Sequence, residues 1–310
     1  MKRFFSLAVL LIVPASFAFA AALGTAARNV IPAEVQQIIS VDYRALRDSS
    51  TALSLKDRVL PDNLKQFETA LKSTGVNPER DVDQLTFALF RTEKNGLKVI
   101  GVASGEFSPK TVLARFKKQK VVAQKYRSTQ IFPLSGMQMA FLDDWTMLFG
   151  DTTAIKAALD ARSGDAQSLS SNGNVSDLIG SVEGGSIWSV LDDKGSQNML
   201  RSALGDVSKL ADYDMVKKRL IGSRYQMNFS NGVNFDLDII TSDSMTASTL
   251  SSMLQLGKRL KATNATGAEK LAIDSMAVDS DSNQLKVHFK TDDKKFETLL
   301  RSDLFASVSR

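Results

Sequence analysis

An apolar strand that stops at a small polar or acidic residue and turns straight into an amphipathic helix is the pattern that most constrains this chain. It occurs at Gly150-Asp151, Ser108-Pro109, Asp243-Ser244 and Thr291-Asp292. Asp, Ser or Thr at such a corner can accept hydrogen bonds from the helix's unpaired first amides. Pro109 suits the first helical position, where its missing N–H costs nothing. In "LFGDTTAIKAALDAR", residues 148–162, Ile155, Ala158 and Leu159 share one helix face, with Lys156 and Asp160 turned outward. Phe296, Leu299, Leu300 and Leu304 repeat that stripe at the end of the chain. A recurring corner is architecture, so Asp151 is expected to cap a helix rather than to catalyse.

Around these corners the same plan runs twice. Period-two patterns or short apolar runs predict strands at Val35–Val41, Gln84–Arg91, Leu97–Ser104, Gln130–Pro133, Met137–Leu142 and Trp145–Phe149. Helical spacing covers Leu53–Lys72, Pro109–Lys118 and Thr152–Arg162. The second half predicts strand Ser186–Leu191, a helical stretch Ser196–Leu220, and a hairpin of Tyr225–Phe229 with Val233–Ile240 about Asn231-Gly232. Helix Thr246–Lys261, strands Ala272–Val278 and Leu285–Lys290, and helix Asp293–Phe305 follow. "IISVDYRALRDS" matches "SIWSVLDDKGSQ", and the hairpin turn at Asn95-Gly96 matches that at Asn231-Gly232. The expected fold is α+β: two tandem related units, 34–162 and 183–310, each a mainly antiparallel sheet with helices packed on one face. Residues 163–182, rich in Ser, Gly and Asn, connect them.

Residues 1–20 stand apart as a signal peptide: Lys2 and Arg3 precede the apolar run Phe4–Val13, and Ala18-Phe19-Ala20 offers the small-x-small cleavage pattern. The competing reading is an uncleaved membrane anchor, since no charge interrupts Phe4–Leu23. Export would permit disulfides, but the chain has no cysteine to form one or to carry a lipid. Its 310 residues can bury a core without that help. Formal charge falls from +5 to +3 without Lys2 and Arg3, too little to argue for nucleic acid.

The residues offer little catalytic chemistry. His288 is the lone histidine, which with no cysteine argues against a His-rich zinc site. G-x-S-x-G, G-x-G-x-x-G and P-loop patterns are missing. "DSDSN", from Asp279, starts like a calcium loop, but Gln284 and Lys290 stand where Gly and Glu are needed. Asp42 and Asp192 end corresponding strands and invite comparison with a glycosidase acid pair, which requires a set separation. Trp145 and Trp188 fall in apolar strand patterns and are expected in the core. No catalytic, cofactor-binding or metal-ligating residue is assigned, and no cofactor is expected.

Three groups remain as candidates for binding. Arg115, Lys117, Lys118, Lys120, Lys125 and Arg127 lie in "RFKKQKVVAQKYR", which has no acid. The first three suit a helix C-terminus, and the run as a whole could meet an anionic envelope component. In "GVNFDLDI", Asp236 and Asp238 share a strand face with Asn234, as the wet side of an antiparallel sheet would. His288 alternates with Val287 and Phe289, on the face of Lys286 and Lys290.

The run from "FGDTTAIKAALDAR" through "SLSSNGNVSDLIGSVEGGSIWSVLD", about residues 148–192, resembles a junction in exported bacterial proteins of unknown function built from tandem α+β units. The resemblance implies export and that architecture, and carries no activity or site residues. The sequence thus points to a periplasmic or secreted envelope protein that binds a partner or serves a structural role, and not to an enzyme. An anionic envelope component and another envelope protein are the partners considered. The alternatives are a carboxylate-dependent hydrolase of envelope glycans and a carrier of an apolar ligand.

Overall fold

The computed structural model describes residues 22–47, 49, 52–53, 62–92, 96–134, 136–204, 208–209, 211–229, 232–265, 267–292 and 294–296. The signal-peptide expectation, Asn95, Asn231, part of the helix expected at Leu53–Lys72 and the final helix beyond Phe296 lie outside the described residues.

The strands are β1 (Val35–Asp42), β2 (Val82–Thr92), β3 (Gly96–Gly105), β4 (Gln124–Tyr126), β5 (Thr129–Leu134), β6 (Met137–Phe141) and β7 (Thr146–Gly150), then β8 (Ile187–Leu191), β9 (Leu220–Asn228), β10 (Val233–Thr241), β11 (Met276–Asp281) and β12 (Gln284–Thr291). They form one antiparallel α+β sheet in the order β11-β12-β10-β9-β8-β1-β2-β3-β7-β6-β5-β4. At its centre β1 pairs with β8, Ile38 opposite Val190 and Ser40 opposite Trp188. Outward from this pair the succession is β1-β2-β3-β7-β6 on one side and β8-β9-β10-β12-β11 on the other.

The back face of the sheet is mainly apolar in both halves, with Gln37, Ser189 and Ser223 near its centre. In the first half it carries Val41, Leu85, Ala103 and Met147, which pack with Phe67 and Leu71 of helix Asp62–Thr74 and Val112 and Phe116 of helix Pro109–Lys118. In the second half Ile239, Leu285 and Val287 pack with Leu200 of helix Asp193–Leu204 and with Leu250 and Met253 of helix Ser244–Asn264. The front face of the first half is also roofed. Ile38, Ala88, Ile100, Val102 and Leu148 form a cluster with Ala154, Ile155 and Ala158 of helix Thr152–Ser163. Helices Thr25–Val30 and Gly173–Gly180 extend that roof over Trp188 and Val190.

Local differences from the sequence expectation have local causes. Trp188 is buried, but Trp145 is 61% exposed: its amide donates to the Asp143 carboxylate at 2.9 Å, in a turn before β7. The stretch expected at Ser196–Leu220 divides into helices Asp193–Leu204 and Ala211–Lys218. Residues Ala272–Ser275, expected in a strand, finish helix Gly267–Ser275; so short an apolar run fits either period.

The outermost strand β11 is covered by side chains rather than by another strand. From helix Ser244–Asn264, Gln255 Nε2 donates to the Val278 carbonyl at 3.2 Å, and Lys258 Nζ donates to the Met276 carbonyl. At the other edge β4 is three residues long and exposes Lys125.

Candidate functional site

Each acidic corner resolves into a cap. Asp151 Oδ1 accepts from the Ala154 amide at 2.7 Å, and Oδ2 accepts from Lys98 Nζ at 2.8 Å. Burial works against the ionised carboxylate, but these donors outweigh it and hold the group below the ordinary carboxylate range. Asp243 accepts from the Thr246 amide at 2.8 Å and Asp292 from the Lys295 amide at 2.9 Å. The Thr246 amide and the Ser242 hydroxyl push the Asp243 carboxyl down to about 2. Ser108 makes no side-chain capping bond, so Pro109 alone marks that helix start.

Asp42 and Asp192 are capping groups as well. Asp42 accepts from the Arg44 and Ala45 amides, and Asp192 from the Gly195 amide and from Arg91. Because β1 and β8 run antiparallel, Asp42 sits opposite Ser186 while Asp192 sits opposite Gln36. The two carboxylates are therefore six residues apart along a strand, or about 20 Å. A glycosidase pair needs about 5–9.5 Å. The reading of these two residues as a symmetric acid pair is corrected by that geometry.

Asp236, Asp238 and His288 do come together, on the front face of the second half. Asp236 lies between Gln226 of β9 and His288 of β12, and Asp238 between Arg224 and Lys286. His288 Nδ1 donates to Asp236 Oδ1 at 2.7 Å, and Arg224 Nε to Asp238 Oδ2 at 2.9 Å. Lys286 Nζ reaches Asp281 at 3.0 Å, and the two groups hold one another charged. Cross-strand pairs of opposite sign like these each stabilise a sheet modestly. Among the described residues no group of three or more His, Asp or Glu could hold a metal ion. The face is a flat lattice of alternating charge, suited to binding a polar surface rather than to enclosing a small molecule.

Among the described residues no helix covers β10 and β12 on this face, unlike the corresponding strands of the first half. Counted outward from Asp42 and Asp192, Thr86 matches Arg224, Ala88 matches Gln226, Ile100 matches Asp236, Val102 matches Asp238 and Leu148 matches Lys286. The first set lies beneath helix Thr152–Ser163. At the matching corner after β12, Phe296 joins Val233, Ala272 and Phe289 on the back face instead.

The six basic candidates do not form one patch. Arg115 donates to the Thr74 carbonyl at 3.0 Å. Arg127 pairs with Asp160, and with Asp165 at 2.7 Å. Lys117, Lys118, Lys120 and Lys125 are exposed. Strand β4, which the basic run concealed, forms a hairpin with β5, and Tyr126 Oη donates to Asp160 at 2.9 Å. That hairpin peels away from the main sheet: β5 pairs with β6 only through Phe132–Leu134. The gap is a cleft of about 640 Å³ whose wall includes Arg127 and Arg162. Sequence reasoning missed Arg162; the only trace was a cation in the last turn of a helix, which the helix dipole already explains.

No protein-family model matches the chain, and no curated protein does. Among solved structures the chain is similar to TP0453 in two crystal forms. Form I is 7% identical over 91% of this chain and 96% of that one, with a TM-score of 0.49. Form III is 8% identical over 91% and 97%, with a TM-score of 0.45.

Proposed function

We propose that this is an exported cell-envelope protein with a binding or structural role, built of two related α+β units, 34–162 and 183–310. The bare front face of the second unit is the surface it presents to a partner. The observation that carries the reading is the replacement of Ile100, Val102 and Leu148, under their helix, by Asp236, Asp238 and Lys286 at matching positions with no such roof among the described residues. The shared strand succession supports the two-unit reading, and Lys2-Arg3, the apolar run and Ala18-x-Ala20 support export. Among the described residues no helix is long and apolar enough to cross a membrane.

The face carries Arg224, Lys286 and Lys290 beside Asp236, Asp238 and Asp279. Balanced charge of this kind fits another envelope protein better than a polyanion. An anionic envelope component would have to meet the exposed Lys117, Lys118, Lys120 and Lys125 without Arg115 and Arg127, which bond within the fold. A photo-crosslinking residue placed at exposed Ala277 or Lys290 in living cells should give a discrete protein adduct, whereas one at exposed Glu106 should not. No adduct from the face, or the same adducts from all three positions, would refute the reading. N-terminal sequencing of the mature chain tests export: a start just after Ala20 is expected, and an intact Met1 would favour the anchor.

A further inference from the structure

We propose a second binding site, independent of the sheet face: the cleft between the β4–β5 hairpin and the end of β6 takes a free single-chain amphiphile with an anionic head. Phe132 and Phe141 lie on its two sides, with Leu113, Leu142 and Leu159 among its lining. At about 640 Å³ it is of the size that houses small ligands. Its opening exists because β5 meets β6 only from Phe132 onward, so Thr129 and Gln130 face Phe141 and Leu142 across space instead of across a ladder. The splay is held open. Tyr126 and Arg127 tie the hairpin to Asp160 on helix Thr152–Ser163, and Arg127, at φ 52°, begins the two-residue turn between β4 and β5.

The charge of the lining sets the ligand class. Arg127 and Arg162 are the two charged residues lining the cleft, and both are cationic. Arg127 is matched by Asp160 and Asp165, whereas Arg162 makes no ion pair with a described residue. The helix dipole favours a cation at Arg162, and Arg162 also lines the same recess as Phe132, Phe141 and Leu142. Ser128 and Thr129 add hydroxyl donors to the lining. A carboxylate or phosphate seated on Arg162, with an alkyl body against Phe132 and Phe141, satisfies both kinds of surface.

The test titrates the whole chain with decanoate below its micelle concentration, following heat and backbone amide shifts. Saturable one-to-one binding is expected, with shifts concentrated at Thr129, Gln130, Phe141 and Leu142. Arg162→Ala should weaken decanoate about tenfold or more, the effect of losing one charge-assisted hydrogen bond. Arg162 is exposed and bonds to no described residue, so the variant should fold; Gln130→Trp, which fills the cleft from an exposed position, is the second variant and should abolish binding. Decyltrimethylammonium, with the same tail and the opposite charge, should bind at least tenfold more weakly than decanoate. The proposal falls if Arg162→Ala or Gln130→Trp binds decanoate like the wild type, or if the cationic amphiphile binds as well. Binding to phosphatidylglycerol vesicles without binding to monomeric decanoate would also overturn it, because the ligand would then be a membrane surface.

Discussion

On the front of the sheet, Val102 and Asp238 occupy matching positions on strands that follow the same succession, and their surroundings are opposite. Val102 is 1% exposed in a cluster closed by Ala154 and Ile155, while Asp238 lies half-buried beside Arg224. The contrast is settled at the corner that follows β7 or β12. Gly150, at φ 157°, allows the chain to fold back so that helix Thr152–Ser163 lies on the front face. A Cβ added there would lie 2.9 Å from the Val99 carbonyl oxygen. Thr291 stands before Asp292 at the other corner, and the next described apolar residue, Phe296, packs on the back. One corner residue and the direction of one helix thus separate a covered face from one that no described helix covers.

The largest test of this contrast exchanges the two surroundings. Val102→Asp places a carboxylate under a helix with no described cation bonded nearby and should cost about 4 kcal/mol or more, seen as a lower urea midpoint. Asp238→Val removes one partner of a half-buried pair and should cost about 1–2 kcal/mol. Equal losses would mean that the two faces do not differ as described. Next in size is Gly150→Ala, which forces an unfavourable backbone onto a residue with a Cβ and should cost about 1–3 kcal/mol. Thr291→Ala, at the other corner, should be milder in the same melts.

Asp151→Ala should cost about 0.5–2 kcal/mol by leaving a helix amide unpaired, with Asp151→Asn or Asp151→Ser recovering most of it. Equal stability of Asp151→Ala and wild type would reopen the corner as a functional site. The smallest effect is a pH dependence in the bare half. Asp243 is held at about 2 against an ordinary 3.8, so the folded state favours its charged form. Its contribution is complete above the unfolded value and is lost as pH falls through 3.8 toward 2. Asp243→Asn should flatten that acid limb of the stability profile by lowering stability at neutral pH toward its value in acid.

Much of this was legible because it is local. A cap needs only a side-chain oxygen and the next turn of helix, so Asp151, Asp243 and Asp292 could be read directly. The alternation in "VNFDLDI" announced a face at the surface. In the first half the run "IGVA", residues 100–103, shows no such alternation and is buried throughout. The cleft was not legible. It arises where β5 parts from β6, and nothing in "TQIFPL" distinguishes a strand paired along its length from one paired over half of it. Arg127 read as one cation among six, while its work is to anchor the hairpin to Asp160.

The two side chains that occupy the carbonyls of β11 bear on what happens when many copies are crowded together. A twelve-stranded sheet left open at its rim would template the next molecule and grow, one chain adding to another by backbone pairing. Gln255 and Lys258 take the acceptors that an incoming strand would use, and β4 is too short to offer many at the opposite rim. Backbone pairing with another chain is therefore hindered at one end by a helix and at the other by brevity. Any assembly this protein enters has to be written in side chains.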